Sequence, residues 1–397
     1  MFEAKATKEL EAKFEVKNSD EHEANEQTEK FPQELPMEHS CRLPRYFVRS
    51  CYPEYYDLIL NKLEEFQIVT VTVTPGIGKS VFYGYFFERC KSGKTIIAAS
   101  FSIYSVLKKV VVFRDGIQIT EAGPLSYNFI EEQREAALQR KETLLILYDG
   151  PPQFEPDYPS KMVCFISPNE DWLKMMYKKE EACELYMPVW KLGELLDAAK
   201  CLHLGDEVLQ KIATRFFVYG GVARNCLSTC ESYVSEMIKW LEYDINNIDS
   251  LNELQRLLDG TLGRHMIHRI CHYQPTIGNA NFSGVRIASK FVARYVLEKL
   301  PARQKEERNI LIQHFQGIPN DAAVCRGLFE MKVYVKLVHG VQFETQCISE
   351  KSGSDSKNVV FNCKKTSNGF VFFDEKDLSP RTLGTGPYHM RNQQRIY

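Results

Sequence analysis

The chain has 397 residues, 26 % of them charged and 12 % aromatic, with a formal net charge of -2. That length exceeds what one hydrophobic core usually supports, so more than one domain is expected, and the near-neutral balance excludes the global basic field that advertises nucleic-acid binding. The 12 cysteines form no C-x-x-C pair, which suits buried thiols in a reducing compartment, and no run approaches the ~20 apolar residues of a spanning helix. A soluble protein without a membrane partner is therefore the expectation, and no secretory signal follows Met1.

Residues 1 to about 40 are dominated by Glu, Lys, Asn and Gln, so they are expected to be disordered or a frayed charged helix, with no site. The text changes at Arg45. A short apolar stretch from Tyr46 to Tyr52 precedes Tyr55 to Phe66, where Tyr56, Leu58, Ile59 and Leu63 recur at helical spacing. A β-rich run, Gln67 to Val73, then enters the loop Thr74-Pro75-Gly76-Ile77-Gly78-Lys79-Ser80. An amphipathic helix from Lys79 to about Cys90 leaves it, with Val81, Phe82, Tyr85 and Phe86 on one face.

Strand, glycine loop and helix in that order are the context of a phosphate-binding loop. Gly76 and Gly78 let successive amides turn inward toward phosphate oxygens, and the helix N-terminus adds its positive end. Lys79 reaches the β- and γ-phosphates, and the Ser80 hydroxyl ligates Mg²⁺. Thr74 through Val81 are thus the expected nucleotide-binding residues. The full pattern G-x-x-x-x-G-K-[ST] has Val73 at its first position. A β-branched residue resists positive φ, so the turn is made with another backbone geometry or shifts toward Pro75 and Gly76. An ordinary turn with a chance Lys-Ser is the alternative.

Thr95 to Phe101 is continuously apolar, as in a strand buried on both faces of a parallel sheet. Lys108 to Phe113 and Ile117 to Thr120 flank Arg114-Asp115-Gly116, a hairpin signal, and a helix follows from Ser126 to Arg140. Thr143 to Asp149 is an apolar strand ending in a carboxylate, similar to a Walker B element. Strand C-termini of such sheets converge, so Asp149 is expected near Ser80, holding Mg²⁺ directly or through water; a strand-terminating Asp-Gly-Pro turn is the alternative. Gly150 leaves the second acid that often activates water absent.

Lys161 to Ile166 is the next buried strand, and Ser167 after it is either a first sensor of the γ-phosphate or a loop-entry residue. Leu185 to Trp190 precedes a helix from Leu192 to Leu202. A second helix, Asp206 to Val218, ends at the cap signal Gly220-Gly221 before Arg224, which reads equally as a second sensor and as a surface arginine. Tyr233 to Phe315 reads as helical throughout, a lid or adaptor. His265, His268, Cys271 and His272 within it match no closed zinc site. A helix from Gly327 to about Val338 and β-prone runs at Val341 to Ile348, Asn358 to Cys363 and Phe370 to Phe373 complete the pattern.

An ordered set of short motifs runs through these elements: Tyr46-Phe47-Val48-Arg49 with Tyr52, Thr74 to Phe82, Leu147-Tyr148-Asp149-Gly150, Ser167-Pro168, Tyr186-Met187-Pro188 with Trp190, Gly220-Gly221 with Arg224, and Leu328-Phe329-Glu330. From about Arg45 to the C-terminus the set resembles the Crinkler and retrotransposon-hot-spot proteins. The resemblance implies an α/β P-loop NTPase core over 45–190, a helical lid over 191–319 and a small, truncated α+β domain of restriction-endonuclease type over 320–397, after the charged segment 1–44. It implies an ATPase using ATP and Mg²⁺ as a switch. Lys79, Asp149 and Arg224 would be catalytic, Ser80 and Asp149 would hold the metal, and Ser167 would contact the nucleotide. It also implies DNA or host nuclear proteins as partners and a nuclear or host-nuclear location, as in oomycete and fungal effectors.

Val73 departs from the family's first loop glycine, and no translocation header is recognisable in residues 1 to 44. Glu330 matches the family's nuclease glutamate, but Asp374-Glu375-Lys376 lacks an upstream aspartate. One acid cannot hold the metal for phosphodiester hydrolysis, so no DNA cleavage is expected; Lys332, Lys336, Lys364 and Lys365 offer at most non-specific phosphate contacts. The alternatives to an ATPase are a catalytically decayed DNA- or protein-binding scaffold and an ATP-regulated nuclease.

Overall fold

A computed structural model of the chain describes residues 27–38, 44–72, 74–153, 160–248, 253, 256, 268–276, 279–299, 341–345, 359–363, 371–373 and 388–390. The chain divides into two compact units, Met1–Leu300 and Pro301–Tyr397.

The first unit is mixed α/β, built on a large, mostly parallel seven-stranded sheet. Helix α1 (Cys51–Glu65) leads into β3 (Ile68–Thr72), every residue of which is buried. Helix α2 (Lys79–Cys90) follows the glycine loop and delivers the chain to β4 (Thr95–Phe101). Strands β5 (Leu107–Arg114) and β6 (Ile117–Ala122) form the expected hairpin, and Asp115 and Gly116 at its tip both have positive φ, the turn that matches strand twist. After α3 (Tyr127–Gln139) come β7 (Leu144–Asp149), β8 (Lys161–Ile166), the short helix α4 (Glu170–Met176) and β9 (Ala182–Tyr186).

The strand order is β6-β5-β4-β7-β8-β3-β9. The five strands from β4 to β9 in that order are mutually parallel, while β5 pairs antiparallel with β4 and β6 antiparallel with β5 to extend the sheet. Alternation along the strands divides the core. Ile97, Ile146, Met162 and Cys164 pack with Ile130 and Ala137 of α3 and Trp172, Leu173 and Met176 of α4. On the opposite face, Phe165 meets Phe82, Tyr83 and Phe86 of α2, and the Tyr52 ring of α1 lies tilted against Phe82. Helices thus cover both faces, which is why the strands read as continuous apolar runs.

Helices α5 (Leu192–Cys201), α6 (Asp206–Tyr219), the single turn α7 (Ala223–Cys226) and α8 (Glu231–Asn246) follow the sheet. The segment read as helical from Tyr233 to Phe315 departs from that reading. An antiparallel hairpin of β10 (Cys271–Thr276) and β11 (Asn279–Ile287) interrupts it before α9 (Lys290–Lys299), and β11 lies against β9. The two strands pair with each other as a sheet of their own beside β9, a setting that local periodicity does not carry.

A second difference concerns the N-terminal segment. Residues 27–38 are ordered against the first unit: β1 (Thr28–Lys30) pairs antiparallel with β2 (Arg45–Phe47), and Phe31 and Leu35 are buried. The charged composition hid this, because besides those two apolar side chains the segment is tethered by a backbone ladder and by polar contacts such as the Glu29–Arg89 ion pair, whose partners lie far away in sequence.

In the second unit, β12 (Val341–Thr345) pairs antiparallel with β13 (Val359–Cys363), and β14 (Val371–Phe373) pairs parallel with β15 (Tyr388–Met390). Val73, His265, Glu330, Lys332, Lys336, Lys364, Lys365 and Asp374-Glu375-Lys376 lie outside the described residues. Among the described residues no helix is long and apolar enough to cross a membrane.

Candidate functional site

The loop between β3 and α2 sits at the C-terminal edge of the parallel strands, where an open α/β sheet presents its crevice. Gly76 and Gly78 have φ of +87° and +94°, in the region that a Cβ disfavours. Gly76 is also crowded, since a Cβ there would lie 3.0 Å from Val222 Cγ1 and 3.1 Å from Arg224 Cβ. Thr74 and Ile77 are buried, whereas Pro75, Gly76, Gly78, Ser80 and Val81 are half-buried. Gly78 caps α2 without a side chain, so the first amides of the helix are left for another acceptor.

Asp149, the last residue of β7, is fully buried, and three donors converge on its carboxylate. Ser80 Oγ donates to Oδ1 at 3.0 Å, the Lys79 ammonium stands 3.7 Å from the same oxygen, and the Glu38 amide donates to Oδ2 at 2.9 Å. Lys79 is itself only 7 % exposed. Lys108 Nζ holds the Glu38 carbonyl at 2.7 Å. Sequence reasoning missed Glu38, which had no signal of its own because its contact is made by the backbone. Behind Ser80, burial and then the charge of Asp149 push the Tyr83 phenol well above its ordinary range, and its hydroxyl has no hydrogen-bond partner among the described residues.

The residue after Asp149 can carry no side chain. Gly150 has φ of +104°, and a Cβ on it would come within 2.7 Å of the Phe101 carbonyl oxygen. A second acid at that position is therefore excluded by space. Ser167, half-buried, follows Ile166 at the end of β8, the strand lying between β3 and β7; Thr72 stands opposite Ile166 and Asp149 opposite Phe165.

Segments far apart in sequence meet behind the loop. Arg49 is buried and forms a two-point pair with Glu194, with Nε to Oε1 at 3.0 Å and Nη2 to Oε2 at 3.1 Å. It also donates to the carbonyls of Pro188 and Val189, and its guanidinium lies 4.6 Å from the Trp190 ring centre. The Trp190 indole donates to the Ile77 carbonyl at 2.6 Å, and the Trp190 amide donates to the Gly221 carbonyl at 3.1 Å. The Arg224 amide reaches the Gly76 carbonyl at 2.9 Å while its side chain is exposed. From the β10–β11 hairpin, the Tyr273 amide donates to Thr74 Oγ1 at 3.1 Å.

The Ser80 and Asp149 oxygens are hard donors, the kind that Mg²⁺ takes one or two of while leaving the rest of its shell to water and phosphate. Among the described residues no group of three or more His, Cys, Asp or Glu side chains converges to hold a metal unaided. His268 precedes β10, whereas Cys271 and His272 lie on that strand rather than on a helix. Burial, with His268 second, pushes the His272 imidazole down to about 3, and burial pushes the Cys271 thiol up to about 12.

Comparison of the chain with models of protein families and with curated proteins found no match.

Proposed function

We propose that the first unit binds a nucleoside triphosphate with Mg²⁺ at the Thr74–Ser80 loop, and that it is a P-loop ATPase using the nucleotide as a switch. The observation that carries this reading is the contact of Ser80 and Asp149, brought together at the strand ends beside a loop whose two glycines have positive φ. ATP as the nucleotide, membership of the Crinkler and retrotransposon-hot-spot proteins, and DNA or nuclear partners rest on the sequence resemblance.

In this reading the amides of the loop and of the first turn of α2 take the phosphate oxygens. Lys79, now 3.7 Å from Asp149, would turn to the β- and γ-phosphates, and Ser80 and Asp149 are the residues that would hold the metal. Mg²⁺, when bound, neutralises charge on the phosphates. Ser167 and Arg224 stand ready to contact the γ-phosphate, and hydrolysis transfers the γ-phosphoryl group to water with cleavage of the bond to the β-phosphate.

The excluded side chain at Gly150 favours a second reading, a nucleotide-binding scaffold that turns over slowly or not at all. Equilibrium binding measured beside steady-state phosphate release separates the two. Binding with turnover that disappears in Asp149→Ala supports the ATPase, binding without turnover supports the scaffold, and no affinity for ATP up to millimolar concentration overturns both.

A further inference from the structure

The loop's carbonyls are held from outside. Gly76, Ile77 and Gly78 contribute three successive carbonyl oxygens, and each meets a donor from another part of the fold: the Arg224 amide at 2.9 Å, Trp190 Nε1 at 2.6 Å and the Tyr52 hydroxyl at 3.4 Å. The Gly78 oxygen also accepts the Phe82 amide at 3.0 Å, the first bond of α2. Trp190 is 6 % exposed and Tyr52 is fully buried, so water does not readily replace either donor.

A trans peptide unit is planar, and its C=O and N–H point in opposite directions. Anchoring the Gly76 carbonyl therefore orients the Ile77 amide, anchoring the Ile77 carbonyl orients the Gly78 amide, and anchoring the Gly78 carbonyl orients the Lys79 amide. Glycine-rich backbone has little torsional resistance of its own, so without anchors these units would rotate and present carbonyl oxygens to an anion. We infer that Trp190, Tyr52 and the Arg224 backbone are positioning residues that pre-set three consecutive loop amides for phosphate. The inference rests on the phosphate-binding reading above and assigns to it residues that touch no phosphate.

The three anchors come from the start of α1, the β9–α5 connection and α7. The last two are tied to each other by the Trp190 amide on the Gly221 carbonyl. Amide orientation in the loop is thus coupled to the connections flanking α5 and α6, at some distance from the ligand.

The test uses the full chain and inorganic tripolyphosphate, which has phosphates but no base. Trp190→Phe keeps an aromatic ring, though a smaller one, beside Arg49 and Phe47 while removing the indole N–H, and Tyr52→Phe removes only the hydroxyl. Expected are a loss of tripolyphosphate affinity of about tenfold for Trp190→Phe and about threefold for Tyr52→Phe, measured at a temperature where both variants remain fully folded. Hydrogen exchange adds a readout that a merely structural role would not move: ligand protects the amides of 76–80 in wild type and fails to do so in Trp190→Phe. Wild-type affinity in both variants overturns the inference while leaving the phosphate site standing. So does a Trp190→Phe loss that tracks unfolding while Tyr52→Phe binds normally. Wild type that binds neither tripolyphosphate nor ATP overturns the site itself, and the inference with it.

Discussion

The Ser80 hydroxyl donates to Asp149 Oδ1 across 3.0 Å, although 69 positions separate the two residues in the chain. The contact exists because β7 and β3 run parallel with only β8 between them, so that both strands end on the same edge. If this pair holds Mg²⁺, Ser80→Ala and Asp149→Asn should each remove the gain in ATP affinity that Mg²⁺ confers, by about 10²-fold for the carboxylate change. Calorimetric titrations with Mg²⁺ and with a chelator measure that gain. Variants that keep the full wild-type response to Mg²⁺ would place the metal elsewhere.

Lys79 compensates a carboxylate with no solvent access. Lys79→Ala should abolish nucleotide binding and also destabilise the fold by on the order of 3 kcal/mol, because it leaves Asp149 buried without its cation. The double variant Lys79→Ala with Asp149→Ala should regain part of that loss, since the uncompensated charge is gone. Urea unfolding of the three proteins decides the matter. A double variant less stable than Lys79→Ala would argue that packing, not charge, sets the cost.

Gly84 in α2 faces the N-terminal segment, and a Cβ there would stand 2.5 Å from Phe31 Cε2 and 2.9 Å from Phe31 Cζ. Ala in place of a helical Gly ordinarily stabilises by about 1 kcal/mol. Here that gain should be offset by displacement of Phe31, loosening β1 and with it the Glu38 contact on Asp149. Hydrogen exchange at 28–30 should rise in Gly84→Ala and equally in Phe31→Ala, and unchanged protection in both would show that the segment is anchored elsewhere.

His272 is 2 % exposed, and its folded-state value of about 3 lies below the ordinary 6.5. Between those values the unfolded chain takes up a proton that the folded chain refuses. The stability present above about pH 6.5 should therefore decline as pH falls toward about 3. Between about pH 6.5 and pH 4.5 the decline should be on the order of 2 kcal/mol in denaturant titrations, and smaller in His272→Gln. Equal pH slopes in the two proteins would remove His272 as the cause.

Local chemistry determined much of this protein from its sequence. Continuous apolar runs such as Thr95–Phe101 and Leu144–Asp149 can be buried on both faces only within a helix-covered sheet, and the Asp115-Gly116 turn identifies its hairpin. Gly76 and Gly78 marked the loop because ready access to positive φ comes with the missing side chain and so is legible in the residue itself. What tertiary structure alone decided are the relations whose energy lies in a partner. Residues 182–186 become the edge strand of the seven-stranded sheet, and 271–276 and 279–287 pair with each other beside it, settings that no window of sequence contains. Residues 28–30 are ordered by a ladder to 45–47, and the Glu38 amide reaches Asp149 without any side-chain signal. Trp190 and Tyr52 showed in the sequence as aromatic residues in motifs, but that their polar tips turn to the loop's carbonyls follows only from the packing of α1 and the β9–α5 connection around it. Apart from proline, every residue carries the same backbone N–H and C=O, so which of them meet is decided by the tertiary structure and not by any single letter.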